Sequence, residues 1–283
     1  MVRQPGAQAL AADTSRAPQA TGWGAGTGLL TWGASVAFLL GAQFIAIFIY
    51  VGVQMSRTGS LPKGVQIDWL LAILSIAATI PAHLLTLAFC WFVVTRRGQR
   101  PFWQSMGWGW RPQFKWIHAA ALAALMMGVA ILFAKILPHQ ETDLEKILKL
   151  GTSVRVLTAL LAVLSAPLVE EVVYRGVLYP GLARNWGMGA GVAGATLLFA
   201  LVHVPQYWNS WAALATILLL SFVLTVLRAA TGSILPGIAT HFFFNGVQAV
   251  SLLLGLDESV KEKTTQTAQF VWVQLNSLFC GLF

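Results

Sequence analysis

Charge is what this sequence has least of: 10% of its 283 residues are Asp, Glu, Lys or Arg, against about 25% in an ordinary soluble domain. With 57% hydrophobic residues and a mean hydropathy of +0.71, that scarcity excludes a soluble globular fold and marks an integral membrane protein. Cysteine is nearly absent too. Cys90 and Cys280 each stand in an apolar run with no partner at disulfide or metal spacing, so both read as small buried hydrophobes. Two catalytic signatures are missing. Ser165, Ser210, Ser221 and Ser233 lack the G-x-S-x-G setting of an activated serine, and no H-E-x-x-H zinc helix is present.

The charges that remain are unevenly placed. A net charge of +8 and a pI near 9.9 would suit nucleic acid, but the basic residues fall between apolar segments, where cytoplasmic loops carry them. Arg96, Arg97, Arg100, Arg111 and Lys115 share one loop with Trp103, Trp108, Trp110 and Trp116. Tryptophan beside Lys and Arg at a helix end is an interfacial anchor, so this loop is expected in the cytoplasm and no nucleic-acid partner is expected.

Apolar runs of about 20 residues predict an all-α, polytopic membrane helix bundle of about eight transmembrane helices. Residues 1–27 lack the apolar core of a signal peptide and read as a flexible tail. Residues 28–150 hold three spans, Leu29 to Val53, Trp69 to Val94 and Ile117 to Leu137, with a bend expected at Pro81. His83 in the second span reads as a hydrogen-bonded packing residue. Residues 151–256 hold the fourth span (about Val156 to Pro180), a fifth ending at His203, a sixth (about Trp211 to Leu227) and a seventh starting near Gly232. Residues 257–283 add a loop and a last apolar stretch, Phe270 to Phe283. Arg184 and Arg228 fall on the side of the basic loop, whereas Lys146, Lys149, Lys261 and Lys263 fall on the other.

The polar residues of the late spans are the informative ones. Ala166 to Leu182 places Glu170, Glu171 and Arg175 in a segment apolar enough to lie in lipid, where a charge costs about 2.5 to 3.5 kcal/mol even on a mild scale. Glu171 and Arg175 are four apart, on one helix face, and predict a structural ion pair. Glu170 is turned about 100° away and left without a cation one turn on, which suits a general base or a proton shuttle. His241 and Asn245 are likewise four apart on one face of the seventh span, and His203 ends the fifth. Counting from Pro180 and Gly232, Glu170 and His241 come to similar depths, about 14 to 15 Å. His203, counted from Gly187, comes out near 24 Å, so the glycine-rich GMGAGVAGA is expected to bend or to delay the regular helix to near Val192. With no nucleophilic side chain, this inventory suits amide hydrolysis by water, activated by Glu170 directly or through a metal.

At these residues the chain resembles the CAAX protease and bacteriocin-processing family of intramembrane proteases, which includes the Ras-converting CAAX endopeptidases. The family's EExxxR stands as Glu170, Glu171 and Arg175, its FxxxH as Phe199 and His203, and its HxxxN/D as His241 and Asn245. The likeness runs from about Leu157 to Val250. It implies an endopeptidase in which Glu170 and His203 activate water, His241 and Asn245 stabilise the oxyanion, and Glu171, Arg175 and Phe199 give structural support. The family is described both as metalloproteases and as metal-free glutamate enzymes. Zinc is a candidate cofactor, with Glu170, His203 and His241 as ligands; none is expected to be obligatory, since a ligating Glu170 would leave no second unpaired carboxylate as base. The implied partners are the lipid bilayer and a peptide or membrane-protein substrate, prenylated at its C-terminus in the best-known relatives. The expected location is a bacterial cytoplasmic membrane, with the active site facing the cytoplasm. A non-catalytic immunity or scaffold protein of the same family is a competing reading. A proton-coupled transporter is another, against which no inverted repeat of broken helices is evident.

Overall fold

The computed structural model describes residues 22–62, 64–138 and 140–254. The expected last span, Phe270 to Phe283, lies outside them, as do Cys280 and residues 1–21 of the expected tail. Among the described residues every regular element is helical. The chain runs through α1 (Ala25–Thr58), α2 (Trp69–Thr95), the short α3 (Phe102–Ser105) in the basic loop, α4 (Trp116–Ile136) and the short α5 (Asp143–Leu148). A long segment follows, made of α6 (Thr152–Leu160), a wide π turn (Leu161–Ser165), α7 (Ala166–Glu170), a second wide turn (Glu171–Leu178) and α8 (Tyr179–Tyr207). The chain then continues into α9 (Trp211–Thr231) and α10 (Leu235–Leu253).

Among the described residues, five helical stretches are long and apolar enough to cross a membrane, and one of them is the whole 56-residue segment Thr152–Tyr207. That segment is long enough to cross twice. Gly187 has φ 84° and ψ 163°, a conformation nearly closed to residues with a β-carbon, and the chain folds back there. The two arms then pack on each other: a β-carbon at Gly191 would stand 2.9 Å from the backbone of Ala183. The sequence placed the bend across GMGAGVAGA, with regular helix from about Val192, whereas Gly187 alone leaves helical geometry. Helix α10, 19 residues long, has the length of a span, but His241, Asn245 and Gln248 dilute its hydropathy. Pro81 lies inside a continuous α2.

The ends of the bundle are chemically distinct. Exposed Trp103, Trp108, Trp116 and Trp186 mark the end carrying the basic loop, and exposed Trp69, Trp208 and Trp211 mark the other, as two interfacial belts would. Between them Phe44, Ile45 and Phe48 of α1 face outward. At the basic end the loop folds inward: Met106 is fully buried, and Ile234 N–H donates to the Gly107 carbonyl at 3.4 Å. At the other end Asp68 caps α2 by accepting from Leu71 N–H at 2.9 Å and holds the Tyr50 hydroxyl at 2.9 Å, tying α1 to α2.

If Gly187 sets the turn, Gly187→Ala will lose about 1–3 kcal/mol, the cost of forcing a β-carbon into that backbone region. Thermal unfolding in detergent measures it, and an unchanged midpoint would place the turn elsewhere.

Candidate active site

Pro167 shapes the backbone on which the glutamates sit. In a π turn each N–H bonds the carbonyl five residues back, and proline has no N–H to give. The carbonyl so released is that of Ala162, and Asn245 Nδ2 of α10 donates to it at 2.9 Å. Glu170 and Glu171 then fall at the junction of α7 and the second wide turn, with α10 locked alongside.

Glu171 and Arg175 form the ion pair their spacing predicts. Arg175 Nη1 donates to Glu171 Oε1 at 2.9 Å, and both side chains are 0% exposed. The sequence did not reveal how thoroughly the guanidinium is held. Its Nη2 donates to the Ser221 carbonyl at 2.9 Å and to Ser221 Oγ at 3.0 Å, and its Nε donates to Thr225 Oγ1 at 3.2 Å. The ring of Phe199 lies 4.8 Å from the guanidinium carbon, a cation–π contact. Arg228 Nε donates to the Arg175 carbonyl at 3.0 Å. Ser221 and Thr225 are four apart on α9, so a search for hydroxyls on one helix face opposite a buried arginine would have found them.

The pair also has a third member. His241 Nδ1 lies 3.3 Å from Glu171 Oε1, and its Nε2 lies 3.8 Å from Glu170 Oε2. Glu171 accepts only, so Nδ1 carries the hydrogen and the ring is aimed with Nε2 at Glu170. Glu170 is therefore not left without a basic neighbour, as helical spacing within its own segment had suggested. Gly237, one turn before His241, makes this approach possible: a β-carbon there would stand 2.6 Å from Glu171 Oε2.

His203 is fixed in the same way by a different partner. Its Nδ1 lies 2.8 Å from the Phe199 carbonyl, which can only accept, so Nε2 is the free acceptor of a neutral ring. Phe199 stacks on it with centroids 4.7 Å apart. The mismatch in depth between His203 and Glu170 disappears once the turn is located. Pro180 lies in the first turn of α8 and does not end the arm, so Glu170 lies 17 residues before Gly187 and His203 lies 16 after it.

A cavity of about 530 Å³ meets these residues. Glu170 and His203 line it, together with Tyr174, and the Glu170 side chain is 19% exposed. His241 and Asn245, 2% and 1% exposed, stand behind that wall. The four motif residues thus do not share one cavity surface: two reach it, His241 backs them, and Asn245 Nδ2 is turned to the Ala162 carbonyl. His83 is also in the wall, its Nδ1 2.7 Å from Ser165 Oγ, a packing contact that doubles as cavity lining. Zinc fits this arrangement poorly, because among the described residues no three His, Cys, Asp or Glu side chains group so as to hold a metal ion.

Residues 152–247 match the family model described as Rce1-like, type II CAAX prenyl endopeptidase. Over this segment, about a third of the chain, the sequence is similar to the CAAX protease family. The matched residues hold all three motifs and exclude α1 to α5, so the Rce1-like segment supplies Glu170 and His203 while α1 and α2 supply the facing cavity wall. No curated protein and no solved structure matches the chain.

Arg175→Ala strands the buried Glu171 charge and is expected to cost about 3–5 kcal/mol of stability. Glu170→Gln, at a partly exposed carboxylate, should cost far less. Denaturant unfolding of both variants in detergent checks this, and equal stability would move Arg175 from the frame of the site into its chemistry.

Proposed function

We propose that the protein is an intramembrane endopeptidase in which Glu170 and His203 activate a water molecule. The match of residues 152–247 to a protease family and the cavity position of these two side chains support the reading. The observation that carries it is the division of labour in the glutamate pair. Arg175 engages Glu171 at 0% exposure, while Glu170, its neighbour in sequence, reaches the cavity and meets only a histidine.

Water held between the Glu170 carboxylate and His203 Nε2 can donate a hydrogen bond to each, leaving an oxygen lone pair for a substrate carbonyl. Glu170 takes the proton as the carbon–oxygen bond forms and returns it to the leaving amine. The developing oxyanion needs a donor that is already in place. His241, its Nδ1 anchored on Glu171, stands beside Glu170 just behind the cavity wall and reaches an oxyanion only where the substrate carbonyl presses past the Glu170 side chain. Asn245, expected at the oxyanion, is given a positioning role here: its amide ties α10 to the Ala162 carbonyl and sets the height of His241.

Turnover of a quenched fluorescent peptide library by purified protein tests this. Glu170→Gln and His203→Ala should each lower kcat by about 10²-fold or more, the range of a lost general base, with the fold intact. Asn245→Ala should fall less. Unchanged cleavage by Glu170→Gln would sink the assignment, and no cleavage by wild-type protein would favour a non-catalytic family member.

The metal question has its own measurement. Protein stripped by chelation and checked by elemental analysis is expected to keep its activity, because Glu170 acts as base and not as ligand. Activity lost on stripping and restored by one equivalent of zinc would reverse that.

A further inference from the structure

The walls of the cavity are not distributed evenly between the two ends of the bundle. Its outer rim is made by Val65 and Ile67, in the connection between α1 and α2, and by Asp143 and Leu144 of α5. Val65 and Ile67 are about half exposed. On α8 the lining begins only at Val202, near the helix end that carries Trp208, and on the preceding arm it stops at Tyr174. Among the described residues, none from 96–115, 183–190 or 228–235 takes part.

The basic end is closed by packing. Trp23 is buried and its Nε1 donates to the Val177 carbonyl at 2.9 Å. Met106, fully buried, covers Gly176, where a β-carbon would stand 2.6 Å from its Sδ. Arg111 Nε donates to the Thr231 carbonyl at 2.6 Å and draws the basic loop over the α9–α10 turn. A route from that end to Glu170 would have to pass through this layer.

We infer that substrate reaches Glu170 and His203 from the membrane face formed by residues 64–68 and α5, opposite the basic loop. A basic loop in the cytoplasm and a site reached from the cytoplasm, both expected from the sequence, cannot then hold together. With the basic loop inside by charge, the substrates are peptide segments on the extracytoplasmic side. The walls say which kind. Leu39, Ile47, Leu71 and Ile76 make them aliphatic, and Gln43 Nε2 donates to the Ser75 carbonyl at 3.2 Å beside Thr79. That surface suits an extended, mostly apolar stretch with backbone groups to satisfy, such as a chain leaving the bilayer or a hydrophobic leader. The substrate class rests on the endopeptidase reading; the direction of access does not.

The test uses full-length protein in which Cys90 and Cys280 are replaced by Ala, with single cysteines introduced as Ser75→Cys in the cavity wall, Ile67→Cys at the rim and Gln104→Cys in the basic loop. Each is treated with a membrane-impermeant maleimide in right-side-out and in inverted vesicles. Ser75→Cys is expected to label from the same side as Ile67→Cys, the outside, and Gln104→Cys from the inside. Adding Glu170→Gln should leave the pattern unchanged, which separates access from activity: a protein that cuts nothing still reports its open face. Labelling of Ser75→Cys from the side of Gln104→Cys, or from neither side, would overturn the inferred route. Labelling of Ile67→Cys from the inside would overturn the substrate class.

Discussion

A buried carboxylate and guanidinium, Glu171 and Arg175, set the terms for everything around them. Two charges withdrawn from water are tolerable only when nearly every donor and acceptor finds a partner. Arg175 meets that demand by drawing on α9 through Ser221 and Thr225, and on α8 through the face of Phe199. Glu171 draws on α10 through His241. Four helical stretches are thereby pinned to one point, and the groups that face the cavity inherit their positions from it. His241 is aimed by Glu171, and His203 is held flat by the ring that also covers Arg175. In the proposed reading the support and the chemistry share atoms, so the distinction drawn from sequence between Glu171 as fold and Glu170 as function is one of degree.

Much of this was legible because lipid makes polar residues conspicuous. Glu170, Glu171, Arg175, His203, His241 and Asn245 stood out against apolar neighbours, and helical spacing alone predicted the Glu171–Arg175 pair. The span ends were likewise readable: α2 and α4 begin within one residue of their expected starts, at Trp69 and Trp116, where a tryptophan meets the interface. What failed was measurement along the chain. Taking Pro180 as a helix end followed from proline's usual effect, but proline in the first turn of a helix loses nothing, and here the preceding wide turn lets the helix restart at Tyr179.

Other features were hidden because their signal is an absence or a long-range pairing. Gly237 matters for the side chain it lacks, which lets Glu171 come against α10. The use of the Asn245 amide could not be seen without knowing that Pro167 frees a carbonyl five residues behind it. His83 carries no motif, and its place in the cavity wall depends on how α2 packs against the segment holding Ser165. A resemblance confined to residues beyond 150 gives no reason to look there.

The turn at Gly187 makes the two arms of the long segment work like the legs of a caliper. Glu170 and His203 sit at nearly equal chain distance from the pivot, and no loop lies between either of them and it. Adding one residue to either leg would slide its tip by about 1.5 Å and swing it by about 100°, enough to take either group out of the cavity wall it lines. Length in these arms is therefore as much a part of the site as the identity of the residues at their ends.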